Sequence, residues 1–171
     1  MKVLLTGFMG AGKTTVGRAV AERLGLEFVD LDDMIEQADG RTVREIFESA
    51  GEEEFRRLER AALAQVLDET DAVIATGGGT LANEEALRSV AHQTVSVWLN
   101  PALDVIERRL DEAGGEQRPL LDDATRVRSL FRRRLPFYRL AALRIDIGGD
   151  ESVAEVADRL VRMLRESRCA F

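Results

Sequence analysis

The chain has 171 residues, of which 45% are hydrophobic and 32% are charged, and these proportions are typical of a single folded domain, residues 1–171. Its formal net charge of -7 argues against a nucleic acid partner, because a polyphosphate backbone would be repelled. The apolar run from Val3 to Leu5 is too short for a signal peptide or a membrane span, so we expect a cytoplasmic protein with no membrane partner.

Five short apolar runs alternate with longer segments that have the spacing of helices. The predicted strands are Val3 to Leu5, Phe28 to Leu31, Val73 to Ala75, Val95 to Leu99 and Ile145 to Ile147. Since the intervening segments are long enough for crossover helices, we expect an α/β fold with a parallel sheet flanked by helices. The stretch 111–123 lacks a periodic apolar face and contains two glycines and a proline, so it is predicted to be a mobile loop that could serve as a lid.

The first predicted strand leads directly into a phosphate-binding pattern. The sequence Gly7-Phe8-Met9-Gly10-Ala11-Gly12-Lys13-Thr14 fits G-x-x-x-x-G-K-S/T and precedes an amphipathic helix. The glycines let backbone N–H groups surround an anion, and the start of the helix adds partial positive charge. Lys13 is predicted to reach the β- and γ-phosphates of ATP, and Thr14 to offer its hydroxyl oxygen to Mg²⁺.

Two carboxylates close the second predicted strand. Asp30 and Asp32 are two residues apart, which places both on one side of an extended chain. Sites in α/β proteins assemble at strand ends. The alternative is a solvated acidic turn, since Asp33 follows at once.

Four further segments carry arginines or consecutive glycines. They are Gly51-Glu52-Glu53-Glu54-Phe55-Arg56-Arg57, Thr76-Gly77-Gly78-Gly79-Thr80, Arg118-Pro119-Leu120-Leu121 and Leu135-Pro136-Phe137-Tyr138-Arg139. An arginine presents two parallel donors to a carboxylate, and bare glycine amides allow close approach of a polyol. Taken alone, Arg56 could instead pair with Glu52 one helical turn back. The run Arg132-Arg133-Arg134 is predicted to form a solvated helix face.

With these segments, the sequence resembles the shikimate kinase family from the first strand to the last helix. The resemblance implies a three-layer P-loop kinase fold with a five-stranded parallel sheet. It also implies transfer of the γ-phosphoryl group of ATP to the 3-hydroxyl of shikimate, a step in aromatic amino-acid (chorismate) biosynthesis. The implied cofactor is Mg²⁺, held by Thr14 and Asp30. We expect the chain to act as a monomer.

The resemblance also implies roles for single residues. Asp32 would bind substrate hydroxyls and accept a proton, and Arg118 would approach the transferring phosphoryl group when the lid closes, so the catalytic set is Lys13, Asp32 and Arg118. The ATP-binding set is Gly10, Ala11, Gly12, Lys13, Thr14, Thr15, Arg109 and Arg118. The substrate-binding set is Asp32, Phe47, Phe55, Arg56, Gly78, Gly79 and Arg139, in which the two arginines clamp the carboxylate. Residues 148–151 depart from the family's adenine contact after the last strand.

Two other functions are compatible with the phosphate-binding loop. One is a related small-molecule kinase, for gluconate or a nucleoside monophosphate, which would have no need of Asp30-Leu31-Asp32, Phe55-Arg56 and Arg118-Pro119-Leu120-Leu121 together. The other is a switch protein that hydrolyses ATP slowly and acts through a protein partner. The presence of a set of acceptor-binding residues argues against the switch.

Overall fold

The computed structural model describes residues 1–69, 71–81, 84–112 and 124–169. In chain order the elements are β1 (Lys2–Thr6), α1 (Lys13–Leu24), β2 (Glu27–Asp30), α2 (Leu31–Asp39), α3 (Val43–Glu69), β3 (Ala72–Ala75), α4 (Glu84–Ala91), β4 (Thr94–Pro101), α5 (Leu103–Glu112), α6 (Ala124–Tyr138), β5 (Leu143–Ile147) and α7 (Val153–Cys169). Each predicted strand is confirmed. The second ends one residue earlier than predicted, because Leu31 begins α2.

All five strands form one parallel sheet in the order β2-β3-β1-β4-β5. The central strand β1 therefore pairs with β3 on one side and β4 on the other, as at Leu4, which lies opposite Ile74 and Ser96. In open parallel sheets the crevice at the carboxyl ends of the strands, where the strand order reverses, is the usual place for a ligand. Here the phosphate-binding sequence leaves β1 at that point.

Helices cover both faces of the sheet, which confirms the three-layer prediction. Alternate residues of a strand point to opposite faces. Val3 and Leu5 belong to a buried cluster with side chains of α1 and α7, whereas Leu4 belongs to a cluster with side chains of α2, α3 and α4. The continuous apolar runs in the sequence follow from burial on both faces.

A third buried cluster lies beside the phosphate-binding loop. Phe8, Trp98 and Tyr138 pack there with side chains of α5 and α6. The rings of Phe8 and Phe131 meet edge to face, with centroids 5.4 Å apart. The loop thus rests on α6, which carries residues of the candidate site.

Helix α3 bends sharply at Gly51, which has φ 82° and ψ 177°. A residue with a side chain would be strained in this conformation, so the bend requires glycine. The bend sets two parts of α3 against each other, and the ring centroids of Phe47 and Phe55 are 4.7 Å apart. The two predicted pocket walls are therefore adjacent.

The predicted lid is only partly within the described residues. Asp111 and Glu112 are the last residues of α5, so the helix continues two residues into the predicted loop. Residues 113–123, including Arg118, lie outside the described residues. Among the described helices, none combines the length and the apolar character required to cross a membrane.

Candidate active site

The loop between β1 and α1 has the backbone of an anion-binding turn. Gly7, Gly10 and Gly12 have φ values of 142°, 75° and 89°, which residues with side chains rarely adopt. A Cβ atom on Gly7 would lie 2.6 Å from the carbonyl oxygen of Leu99, so this position has no room for one. Gly12 is the N-cap of α1, so no side chain caps the first N–H groups of this helix. Such N–H groups can bind an anion.

Lys13 lies over this loop. Its Nζ donates hydrogen bonds to the carbonyl oxygens of Gly7 at 2.9 Å and Phe8 at 3.0 Å. Phosphate oxygens are stronger acceptors for an ammonium group than neutral carbonyls. A nucleotide phosphate bound in the loop would therefore compete well for Lys13.

Thr14 and Asp30 bring two hard oxygen ligands together. The Thr14 hydroxyl donates to Oδ2 of Asp30 at 2.7 Å. Mg²⁺ prefers such oxygens and completes its coordination with phosphate and water, so this pair fits the predicted metal. Thr15, the next residue of the predicted ATP set, is exposed on the first turn of α1.

Asp32 lies in a helix, whereas the sequence placed it at the end of a strand. Oδ1 of Asp30 accepts the backbone N–H of Asp32 at 3.1 Å and caps α2, so Asp32 lies on the first helical turn and not on an extended strand. The same-side argument from strand geometry is therefore wrong. Its carboxylate nevertheless lies beside the glycine run, because a Cβ atom on Gly77 would be 3.2 Å from Oδ1 of Asp32.

Arg56 is fixed by a buried carboxylate that sequence reasoning missed. Its Nη1 donates to Oε2 of Glu59 at 2.6 Å, and the Thr80 hydroxyl donates to Oε1 of the same carboxylate. Glu59 is only 2% exposed. Burial opposes the charge of Arg56, but the combined attraction of Glu59 and Glu52 outweighs it and raises the pKa of this guanidinium above its usual value. A glutamate within the apolar face formed by Phe55 and Ala62 was the signal available in the sequence.

The three consecutive glycines line the space in front of Arg56. A Cβ atom on Gly79 would lie 2.5 Å from Nη2 of Arg56 and 3.0 Å from Nη2 of Arg134. A Cβ atom on Gly78 would lie 3.1 Å from Nη1 of Arg134 and 3.4 Å from the backbone nitrogen of Met9 in the phosphate-binding loop. Side chains here would displace both arginines.

The second arginine at this position is Arg134, whereas the sequence predicted Arg139. Arg134 and Tyr138 are four residues apart on α6 and share a face, but Arg139 lies beyond the end of the helix and is exposed. The prediction of a solvated face is therefore wrong for Arg134, which is half-buried. Arg139 is not brought to the glycines.

Tyr138 anchors the glycine run to α6. It is 1% exposed, and its hydroxyl donates to the carbonyl oxygen of Gly78 at 2.6 Å. Burial raises the pKa of this phenol to about 12, so the group stays protonated and can donate. Because the fold holds this proton more tightly than the unfolded chain, Tyr138 makes stability fall as the pH rises from about 10 to about 12.

Tyr138→Phe is expected to lower the free energy of unfolding by about 1–3 kcal/mol, since the Gly78 carbonyl loses its buried donor. Urea unfolding at pH 7 measures this change. The difference from the wild type should narrow above pH 10. Equal stability of the two proteins at pH 7 would contradict the anchoring role.

Arg109 lies against the other side of the phosphate-binding loop. Its Nη1 donates to the carbonyl oxygen of Gly10 at 3.2 Å, so the predicted nucleotide contact is next to the loop.

The segment after β5 is held by contacts of Glu151, which accepts the N–H of Gly148 and pairs with Arg159 at 2.8 Å. This loop offers backbone rather than a flat side chain to a base.

Comparisons with known proteins point to one family. The family model described as shikimate kinase matches residues 9–165. A shikimate kinase of Caldanaerobacter subterraneus is 42% identical over 163 residues, covering 94% of each protein. The structure of shikimate kinase from Acinetobacter baumannii in complex with shikimate superposes with a TM-score of 0.87 at 33% identity, covering 97% of this chain and 93% of that one. Shikimate kinase from Aquifex aeolicus superposes with a TM-score of 0.86 at 31% identity, covering 98% of each chain.

Proposed function

The chain belongs to the shikimate kinase family, and from this premise we propose that it transfers the γ-phosphoryl group of ATP to the 3-hydroxyl of shikimate. The products are shikimate 3-phosphate and ADP. The observation that carries the proposal is the position of the glycine run. On one side it meets the guanidinium groups of Arg56 and Arg134, and on the other Gly78 meets the phosphate-binding loop. An anionic acceptor held by the arginines would therefore adjoin the phosphates of ATP.

The acceptor pocket suits a hydroxylated ring that carries a carboxylate. Arg56 and Arg134 supply the planar donors for the carboxylate. The Phe47 and Phe55 rings supply an apolar wall next to Arg56, whose guanidinium carbon is 5.3 Å from the centroid of the Phe55 ring. Asp32, together with the backbone of the glycines, supplies acceptors and donors for the ring hydroxyls.

The family consists of ATP-using kinases, and we infer that the divalent metal is Mg²⁺, held by Thr14 and Asp30. When bound, Mg²⁺ would neutralise charge on the phosphate oxygens. The oxygen ligands and their 2.7 Å separation support this assignment.

The residues of the chain mainly position the reactants and compensate charge. As the 3-hydroxyl oxygen forms its bond to the γ-phosphorus, the bond from that phosphorus to the β–γ bridging oxygen breaks, and ADP leaves. Asp32 takes the hydroxyl proton. Lys13 and Arg118 lower the energy of the charge on the transferring group. The bound geometry brings acceptor and donor together before reaction.

The decisive experiment is a coupled ADP assay with shikimate, gluconate, nucleoside monophosphates or no acceptor. We expect turnover with shikimate alone. Preference for another acceptor would support the related kinase, and acceptor-independent ATP hydrolysis would support the switch.

Arg134 of α6 and Arg139, which follows the end of that helix, give a matched pair of variants. Arg134→Gln is expected to raise the KM for shikimate about 30-fold or more, as for loss of a buried charged hydrogen bond of at least 2 kcal/mol, with a smaller effect on the KM for ATP. Arg139→Gln removes the same charge from an exposed position and should change the KM for shikimate by less than about twofold. Steady-state kinetics would measure both. A larger effect of Arg139→Gln would restore the assignment made from the sequence.

We further propose that residues 1–171 act as one kinase domain and as a monomer in the cytoplasm, without a nucleic acid or membrane partner. The net charge of -7 supports the absence of a nucleic acid partner.

A further inference from the structure

The Arg56 guanidinium uses two of its edges for two different carboxylates. Nη1 donates to buried Glu59 at 2.6 Å. Nε and Nη2 both point to Oε1 of Glu52, at 3.4 Å and 3.3 Å. The edge formed by Nε and Nη2 presents two parallel N–H groups and is therefore suited to a bidentate carboxylate. Glu52 thus occupies the edge that a substrate carboxylate would need.

The two carboxylates differ in how firmly they hold Arg56. The Glu59 side chain is 3% exposed and also accepts the Thr80 hydroxyl, so it is fixed. The Glu52 side chain is 69% exposed, and its distances to Arg56 are longer than those of a strong charge-assisted hydrogen bond. An exposed pair of this kind contributes little free energy and can separate easily. Glu59 therefore orients the guanidinium, whereas Glu52 is displaceable.

Helical spacing sets which exposed glutamate reaches Arg56. Glu52 follows Gly51 at the bend and lies one helical turn before Arg56. Its neighbour Glu54 pairs with Arg57 at 2.7 Å, and Glu53 is exposed. Glu53 is thus a natural control with the same charge.

We propose that Glu52 is an internal competitor for the substrate carboxylate, so that it weakens the binding of shikimate and keeps the recognition edge of Arg56 engaged until an anion displaces it. This inference rests on the proposed function. A ligand without a carboxylate lacks the charge to displace Glu52, so the contact also favours acids over neutral polyols. Glu52 is therefore a specificity-determining residue, because the substrate carboxylate takes over its contact with Arg56.

The test compares Glu52→Gln with Glu53→Gln, which have the same net charge. Glu52→Gln is expected to lower the KM for shikimate about two- to fivefold, with kcat and the KM for ATP unchanged, as expected from the loss of an exposed ion pair. Glu53→Gln should match the wild type. An unchanged or raised KM for shikimate in Glu52→Gln, or an equal decrease in Glu53→Gln, would overturn the proposal.

Two further measurements separate this proposal from the proposed function. Lysine has no planar fork for a carboxylate. The double variant Arg56→Lys/Glu52→Gln should therefore have the same KM for shikimate as Arg56→Lys alone. The NMR signal of the Arg56 Nε–H group in the free protein should shift in Glu52→Gln and not in Glu53→Gln. If the wild type fails to phosphorylate shikimate, the proposed function fails, while the NMR comparison still shows whether Glu52 contacts the recognition edge. Absence of that shift would overturn the competitor role.

Discussion

Lys13→Met is expected to lower kcat roughly 10²- to 10³-fold, the effect of removing one group that stabilises charge in a transition state. Methionine keeps most of the length and apolar volume of the lysine stem but carries no ammonium. The wild-type ammonium donates hydrogen bonds to the carbonyl oxygens of Gly7 and Phe8, and charge compensation during phosphoryl transfer is its proposed task. ADP release at saturating ATP and shikimate measures kcat.

The only other lysine provides the control. Lys2 lies at the start of β1 and donates to the carbonyl oxygen of Leu67, at the end of the sheet away from the site. Lys2→Met should leave kcat within about twofold, with any change confined to stability. A similar loss of kcat in both variants would indicate a general effect on folding and would remove Lys13 from the catalytic set.

Asp32→Asn is expected to lower kcat roughly 10²- to 10⁴-fold, the range for loss of a general base. Asparagine has the same shape and can still form hydrogen bonds to hydroxyl groups, but it cannot take up the proton. The start of α2 should survive, because its cap is the side chain of Asp30 and the donor is the backbone N–H of Asp32. Steady-state kinetics with shikimate measures the loss.

Asp33→Asn is the matched control for this variant. Asp33 is exposed and forms only a 3.7 Å ion pair with Arg18 among its described contacts, so its kcat should equal that of the wild type. If Asp32→Asn raised only the KM for shikimate and left kcat unchanged, Asp32 would be a binding residue and another group would take the proton.

The sheet was predictable because its strands are buried on both faces. Val73 to Ala75 and Val3 to Leu5 are apolar throughout and buried. A short apolar run that precedes a glycine-rich turn is typical of a buried strand. The boundary at Asp30 was harder to predict. One residue both ends β2 and caps α2, and spacing alone does not reveal a strand that turns into a helix without a loop.

Site residues within one continuous segment were predictable, whereas those selected by tertiary packing were not. The phosphate-binding loop carries its geometry in its own glycines. In contrast, three adjacent arginines look alike in the sequence, and the packing of Tyr138 against Gly78 decides that Arg134 meets the glycines. The role of Glu59 was not predicted for a similar reason, since its partners Arg56 and Thr80 come from different segments.

The single tryptophan gives this protein an intrinsic optical probe at a useful place. Trp98 is 3% exposed and stacks on Tyr138 with ring centroids 6.2 Å apart, while the guanidinium carbon of Arg144 lies 5.0 Å from its ring. Indole emission depends on nearby charges and rings, so any shift of α6 relative to β4 should alter it. Ligand titrations can therefore be followed by fluorescence on the unlabelled wild-type chain, with one emitting indole to interpret.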